Sequence, residues 1–310
     1  MGFNTFLTNK ELAVINTLDD GSLYATPALI EELFTYPYLT DALLLVSRDF
    51  KGRPTGYIPV GFYSNHHNDL IVSYIPAIPP SPPISPTYTP GAKHVMANLW
   101  QLLNEPMTYF DVDVVANYDF SNLEETASAY CLSVEKYLPH LSPSRRKDFK
   151  RKLKVAERYQ VEQGSLKDVL AAWSWMKSVW EKRCAYDEEH IRRVLRWLGK
   201  IESSGRAVMK IDKYLLNGKA VGVNCCVIHH YKGLIHIDDY LTWYDTSLAS
   251  GLGIVSAIKN LTNPQYYGAR YNLGLPGFYG ETFEGHEYKW DIFPKSIRLN
   301  QSIVKIDLLL

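Results

Sequence analysis

The segment from Ala207 to Gly274 constrains the fold most strongly. Three apolar runs, Ala207–Leu215, Ala220–His229 and Leu234–Leu241, are separated by Asn217-Gly218 and Lys232-Gly233. Asn-Gly tolerates the positive φ that a two-residue hairpin demands, so the runs are predicted to form an antiparallel meander. A glycine-rich turn follows, Ser247-Leu248-Ala249-Ser250-Gly251-Leu252-Gly253. A helix is predicted over Gly253–Asn260 and a further strand over Arg270–Gly274. A strand–helix–strand crossover joins parallel strands, so this sheet must be mixed.

A strand that enters a helix through a glycine turn leaves unpaired N–H groups and the positive helix end facing one place. That is a seat for a phosphate-bearing ligand. Ser250-Gly251-Leu252-Gly253 is neither a G-x-G-x-x-G nor a P-loop, since the Lys and Ser/Thr are missing. Each exposed helix-end interaction contributes only ~0.3–1 kcal/mol, so tight binding needs several donors and further contact along a strand.

Asp238 and Asp239 close the strand before the turn. Alternation places Asp239 with Ile235 and Ile237, and Asp238 with His236, so one carboxylate faces the buried or cleft side. A carboxylate there suits a general base. Deprotonating an amine of ordinary pKa costs about 4–5 kcal/mol at pH 7. The pairs His66-His67 and His229-His230 diverge on a strand, and no zinc spacing or G-x-S-x-G occurs. Metal and hydrolase sites are therefore not expected. Glu284-Gly285-His286-Glu287-Tyr288-Lys289-Trp290 is a dense polar and aromatic cluster after the last strand.

A chain of 310 residues suggests about two domains. Lys+Arg and Asp+Glu both number 33, which gives no global case for nucleic-acid or membrane binding. No apolar run reaches the ~18 residues of a membrane span. The opening Met1-Gly2-Phe3-Asn4-Thr5-Phe6 lacks the basic and apolar regions of a signal peptide. Cys131, Cys184, Cys225 and Cys226 form no C-x-x-C, and neighbours on a strand point apart. Buried thiols in a reducing cytoplasm are expected.

The first part, residues 1–139, reads as a helix after Thr26-Pro27 and strands at Ala42–Ser47, Gly56–Tyr63 and Leu70–Ile75. A proline-dense segment from Ile75 to Pro86 is predicted to run as polyproline II. A helix at His94–Leu103 and a strand at Thr108–Val115 follow. The second part, residues 140–310, begins with Ser142-Pro143-Ser144, which caps a helix from near Arg145. That helix carries Arg145, Arg146, Lys147, Lys150, Arg151, Lys152, Lys154 and Arg158 around a stripe of Phe149, Leu153 and Ala156. One face is buried, and the rest is either solvated or a phosphate contact. Trp173, Trp175, Trp180 and Trp197 lie in helices over Leu166–Leu198 and read as core.

Taken in order, these pieces resemble the GNAT-fold acyltransferases of the FemAB/FemX-like and BioF2/CelD-like group. The resemblance rests on Thr26-Pro27, Gly56-Tyr57-Ile58-Pro59-Val60, the basic helix, and Asn217-Gly218-Lys219-Ala220-Val221-Gly222. It continues through Tyr244-Asp245 before Ser250-Gly251 and the closing Glu287-Tyr288-Lys289-Trp290. It implies an α+β fold of tandem GNAT-like domains, each a mixed, mainly antiparallel sheet flanked by helices. It implies transfer of an acyl group from acyl-CoA to a small-molecule or peptide amine, with no metal. In the FemX branch the donor is aminoacyl-tRNA, and a non-catalytic GNAT-like binding module is a further reading. By this analogy the backbone at Tyr240 and Leu241 holds the thioester carbonyl, and Ser250, Gly251, Leu252, Gly253 and Ile254 face the pyrophosphate. Asp239 is the expected base. Tyr288 and Lys289 orient the acceptor or protonate the leaving thiolate. Tyr244, Asn272, Glu284 and His286 are expected to line the acceptor cleft, along with the proline segment. Ser250 stands where the family often has Pro, and Asn272 where it often has Asp. No residue pattern points to an oligomeric state.

Overall fold

The computed structural model describes residues 8–17, 19, 21, 23, 26–34, 39–48, 51–64, 70–74, 94–98, 115–125, 128–183, 188–231, 233–273, 277–278, 281–282, 288–299 and 302–309. The chain divides into two compact units. One comprises Met1–Thr126, Gly277–Glu281 and Asn300–Leu310; the other comprises Ala127–Pro276 and Thr282–Leu299.

In the first unit, α1 (Asn9–Thr17) and α2 (Pro27–Phe34) precede a meander of β1 (Leu39–Arg48), β2 (Pro54–Ser64) and β3 (Leu70–Tyr74). Pro27 opens its helix, where its missing N–H costs nothing. Of the helix expected at His94–Leu103, only residues 94–98 are described, and they are not helical. His94–Asn98 is instead a strand, β4, paired antiparallel with β12 (Ser302–Leu309), which also pairs with β5 (Val115–Glu125). Long-range pairing with an alternating strand some two hundred residues away overrides local helix propensity, and short-range pattern cannot report it. Of the strand expected at Thr108–Val115, only Val115 is described, where it opens β5. The proline segment lies outside the described residues.

The second unit holds the predicted meander. Among its described residues the sheet has the order β6-β11-β10-β9-β8-β7. The strands are β6 (Ser128–Tyr130), β7 (Gln160–Gln163), β8 (Ala207–Leu216), β9 (Lys219–Tyr231), β10 (Leu234–Tyr244) and β11 (Arg270–Asn272). β10 and β11 run parallel and every other pair is antiparallel, so the sheet is mixed, as the crossover requires. Leu216 faces Lys219 across Asn217 and Gly218, both at positive φ. The edge strand β7 is short and mostly exposed, with Gln and Glu side chains that discourage pairing with another chain.

Helices cover both faces. α5 (Leu166–Arg183) and α6 (Glu188–Ser203) pack on one: Trp173 meets Trp243 at 5.3 Å between ring centroids, and Trp197 Nε1 donates to Tyr240 Oη at 2.9 Å. The other face carries α4 (Pro143–Ala156), α7 (Leu252–Leu261) and α8 (Tyr288–Ile292), with the short α3 (Val134–Tyr137) beside them. Phe149, Cys226, Ile237, Ala257, Ile258, Leu261, Tyr271 and Phe293 form the core on this side. Among the described residues no helix is long and apolar enough to cross a membrane.

Candidate functional site

The register of β10 changes at one point. Asp239 faces Cys226 on β9 and Leu241 faces Cys225, so Tyr240 is an extra residue with no opposite number. Such a bulge bends the strand and re-aims the side chains beyond it. Before it, Ile235, Ile237 and Asp239 share the α7 face; after it, Thr242 and Tyr244 do. The parallel ladder to β11 ends just before the bulge, at Asp238 and Asn272. Among the described residues, β10 therefore has no neighbour on that side from Asp239 to Tyr244. Within the described residues, the ladder stops one residue short of the carboxylate.

Asp239 is enclosed by protein yet keeps part of its surface accessible. Tyr271 Oη donates to its Oδ2 at 2.5 Å and Asn224 Nδ2 to its Oδ1 at 2.8 Å. Burial pushes its pKa up to about 6, against the pull of these two donors and of the Lys289 and Lys210 ammonium groups. Lys289 is buried, and desolvation brings it down to about 8, with Asp239 opposing. Tyr288 and Tyr271 are driven well above the usual phenol range, chiefly by burial and then by the Asp239 charge. Tyr288 and Lys289 thus lie on the Asp239 face of the sheet, close enough for its charge to act on both.

α8 explains how a lysine comes to be buried. Its last turn is anchored by Ile292 and Phe293 in the core. Tyr137 Oη donates to the Ile292 carbonyl, and Arg298 donates to the Phe293 carbonyl through Nε at 3.1 Å and Nη2 at 2.8 Å. Arg298 also stacks over the Trp290 ring at 3.9 Å. With the helix end held this way, the Lys289 side chain stays buried.

The glycine turn opens α7. Gly251 has φ +80°, a value that L side chains resist, and no side chain caps the helix. The Leu252 amide donates to the Ala249 carbonyl and the Ile254 amide to the Gly251 carbonyl, both at 3.1 Å. Among the described residues, no backbone hydrogen bond leaves the Ser250, Gly251 or Gly253 amides. These three, rather than Leu252 and Ile254, are the donors on offer. The Leu252 side chain turns inward and is fully buried with Ala249, Val255, Tyr214 and Val221. A Cβ on Gly222 would lie 2.3 Å from Leu252 Cδ2 and 2.9 Å from Tyr244 Cβ, so only glycine lets the helix start dock there.

Other expected residues go elsewhere. Tyr240 turns to Trp197 on the opposite face, and the Leu241 side chain is buried while its carbonyl accepts from Asn224 Nδ2 at 3.2 Å. Asn272 donates to Asp238 Oδ1 at 3.2 Å, on the face away from Asp239. Asp238 also meets His229 Nε2 at 3.1 Å, and His229 stacks on His236. Burial drives His236 down to about 4. Tyr244 is on the Asp239 face. Glu284 and His286 lie outside the described residues. No group of His, Cys, Asp and Glu that could hold a metal occurs among the described residues. Cys131, Cys225 and Cys226 are free and buried.

Sequence reasoning missed Asn224, Asn260, Tyr271 and Lys210. Asn260 Nδ2 donates to Asn224 Oδ1 at 3.0 Å, and Lys210 Nζ donates to Asn260 Oδ1 at 3.1 Å while pairing with Asp212. A signal existed: Asn224 is the one amide within Val221–Ile228, a run too apolar to face water, and such a group must find partners.

No protein-family model matches the sequence, and no curated protein matches it. FemX superposes with a TM-score of 0.48 at 10% identity, over 97% of this chain and 96% of its own. A conserved protein of unknown function from Bacteroides thetaiotaomicron superposes with a TM-score of 0.51 at 12% identity, over 97% of this chain and 98% of its own. At such identity the likeness is one of fold alone, and it extends over nearly the whole of both chains.

Proposed function

We propose that the second unit is an N-acyltransferase that moves an acyl group from acyl-CoA to an amine, in a pair of tandem GNAT-like domains. One observation carries the reading: β10 bulges at Tyr240 and loses β11 where the partly accessible Asp239 stands. A gap between parting strands admits a thin thioester arm. The bulged main chain at Tyr240–Leu241 would face its carbonyl, and the Ser250, Gly251 and Gly253 amides suit a diphosphate. The amine nitrogen attacks the thioester carbon and the carbon–sulfur bond breaks. Asp239 takes the proton from nitrogen. Lys289, a stronger acid than an ordinary lysine, or Tyr288 returns a proton to the departing thiolate. Direct transfer needs no covalent enzyme intermediate.

Asp239→Asn is expected to cut turnover by about 10²–10⁴-fold with CoA affinity nearly kept. Equal loss of both, read by calorimetry and steady-state kinetics, overturns the base assignment. A second donor carrier is favoured by α4, where Lys147, Lys150 and Lys154 form an exposed stripe at helical spacing, with Arg158 exposed just beyond the helix end. Aminoacyl-tRNA would bind there with steep salt dependence. Calorimetry with CoA against a gel shift with tRNA separates the two.

A further inference from the structure

Asn224 is fully buried and more heavily committed than any other amide described in the sheet. Its Nδ2 lies 2.8 Å from Asp239 Oδ1, 3.2 Å from the Leu241 carbonyl and 2.9 Å from Thr242 Oγ1. These acceptors straddle the bulge, one before Tyr240 and two after it. Its Oδ1 accepts from Asn260 Nδ2 at 3.0 Å and from Cys226 Sγ at 3.3 Å. A reversed amide would set oxygen against a carboxylate and a carbonyl, so the network admits one orientation. Asn260 is held in its turn by Lys210. Thr242 Oγ1 continues the chain to Ser256 Oγ at 3.3 Å, and Ser256 donates to the Gly253 carbonyl at 3.0 Å. The carboxylate, the bulge and the first turn of α7 are thereby joined through one side chain.

We propose that Asn224 is a positioning residue: its carboxamide ties the Asp239 carboxylate to the far side of the β10 bulge and fixes the spacing between them. Its purpose rests on the acyl-transfer reading; its geometry does not. A bulge alone leaves a strand free to shift its extra residue. A single donor shared between Asp239 and Leu241 removes that freedom. Other groups also act on Asp239: Tyr271 from β11, Tyr288 and Lys289 from α8, Cys225 and Cys226 from β9, and Tyr214 and Lys210 from β8, the last paired with Asp212. α7 contributes Lys259, which lies over the Tyr214 ring. All remain when Asn224 alone is changed.

The test is a carbon-13 titration of the full chain labelled at aspartate Cγ, with the Asp239 signal assigned by Asp239→Asn. In Asn224→Leu the Asp239 midpoint is expected to rise by about one unit, a tenfold change in proton affinity, because a donor to the ionised form is lost. The acidic limb of kcat should move with it while KM for acyl-CoA holds. Asn260→Ala, which leaves the Asn224 donor in place but frees its orientation, should give a smaller rise and carries the test if Asn224→Leu fails to fold. An unmoved midpoint in a folded variant overturns the proposal. Because the titration needs no donor, that result is distinct from failure of the acyl-transfer reading, which shows as no CoA binding and no acyl transfer by the unaltered protein.

Discussion

Lys289→Met gives the sharpest test of the site. With Asp239 near 6 and Lys289 near 8, each is about nine-tenths charged at pH 7, so the proposed base and acid share one narrow window. The lysine is one of the forces that hold the Asp239 pKa down against burial. Methionine keeps the volume and removes the charge. An opposite charge close by is worth about 1–3 pKa units, so the Asp239 midpoint should move from about 6 to ~7.5. At pH 6.5 the ionised fraction then falls from about three-quarters to about a tenth, roughly an eightfold loss. The assay is kcat/KM for acyl transfer from pH 5 to 10. The acidic limb is expected to shift upward by more than one unit, and the fall above about pH 8 to disappear with the group that caused it. An acidic limb that overlies the wild type would refute the electrostatic coupling of the pair.

Two further outcomes follow from the same geometry. Asp239 binds its proton more tightly folded than unfolded, so its contribution to stability grows as pH falls from about 6 towards 4; Lys289 is the reverse, contributing more as pH rises from about 8 towards 10.5. Denaturant unfolding should therefore show the double variant Asp239→Asn/Lys289→Met gaining on the wild type most between pH 6 and 8, by a few kcal/mol, and least at pH 4 and 10.5. Gly222→Ala should destabilise by about 1–3 kcal/mol, since a methyl there meets Leu252 and Tyr244, and should weaken CoA binding more than it slows turnover. Thermal melts and calorimetry check both parts.

The legible parts of this fold were those written in local chemistry. Asn217-Gly218 announced its hairpin because two consecutive positive φ values leave few residue choices. The mixed sheet followed from the crossover after Gly253, and the sharing of one face by Asp239 and Ile237 from simple alternation. What could not be read depended on partners distant in sequence. His94–Asn98 became a strand because Ile303–Asp307 pairs with it. The bulge at Tyr240 carries no glycine or proline to mark it, and it arises only when β9 sets the register. The burial of Lys289 depends on Tyr137 and Arg298, which hold α8 from opposite ends of the unit's sequence.

The two neighbouring aspartates show why composition alone could not choose between them. Asp238 is buried, is met by His229 and Asn272, and lies on the face away from α7. Asp239 accepts two hydrogen bonds as well, yet it keeps accessible surface and stands near a lysine hidden in an apolar cluster. Placing a second charge in that cluster is costly, and a hydrophobic pair of similar volume would often be as stable or more so. An accessible, ionised carboxylate that costs stability, placed just past the end of the β10–β11 ladder, supports the proposed base role for Asp239. One residue of register separates the two roles, and the bulge that follows Asp239 lets Thr242 and Tyr244 rejoin the α7 face.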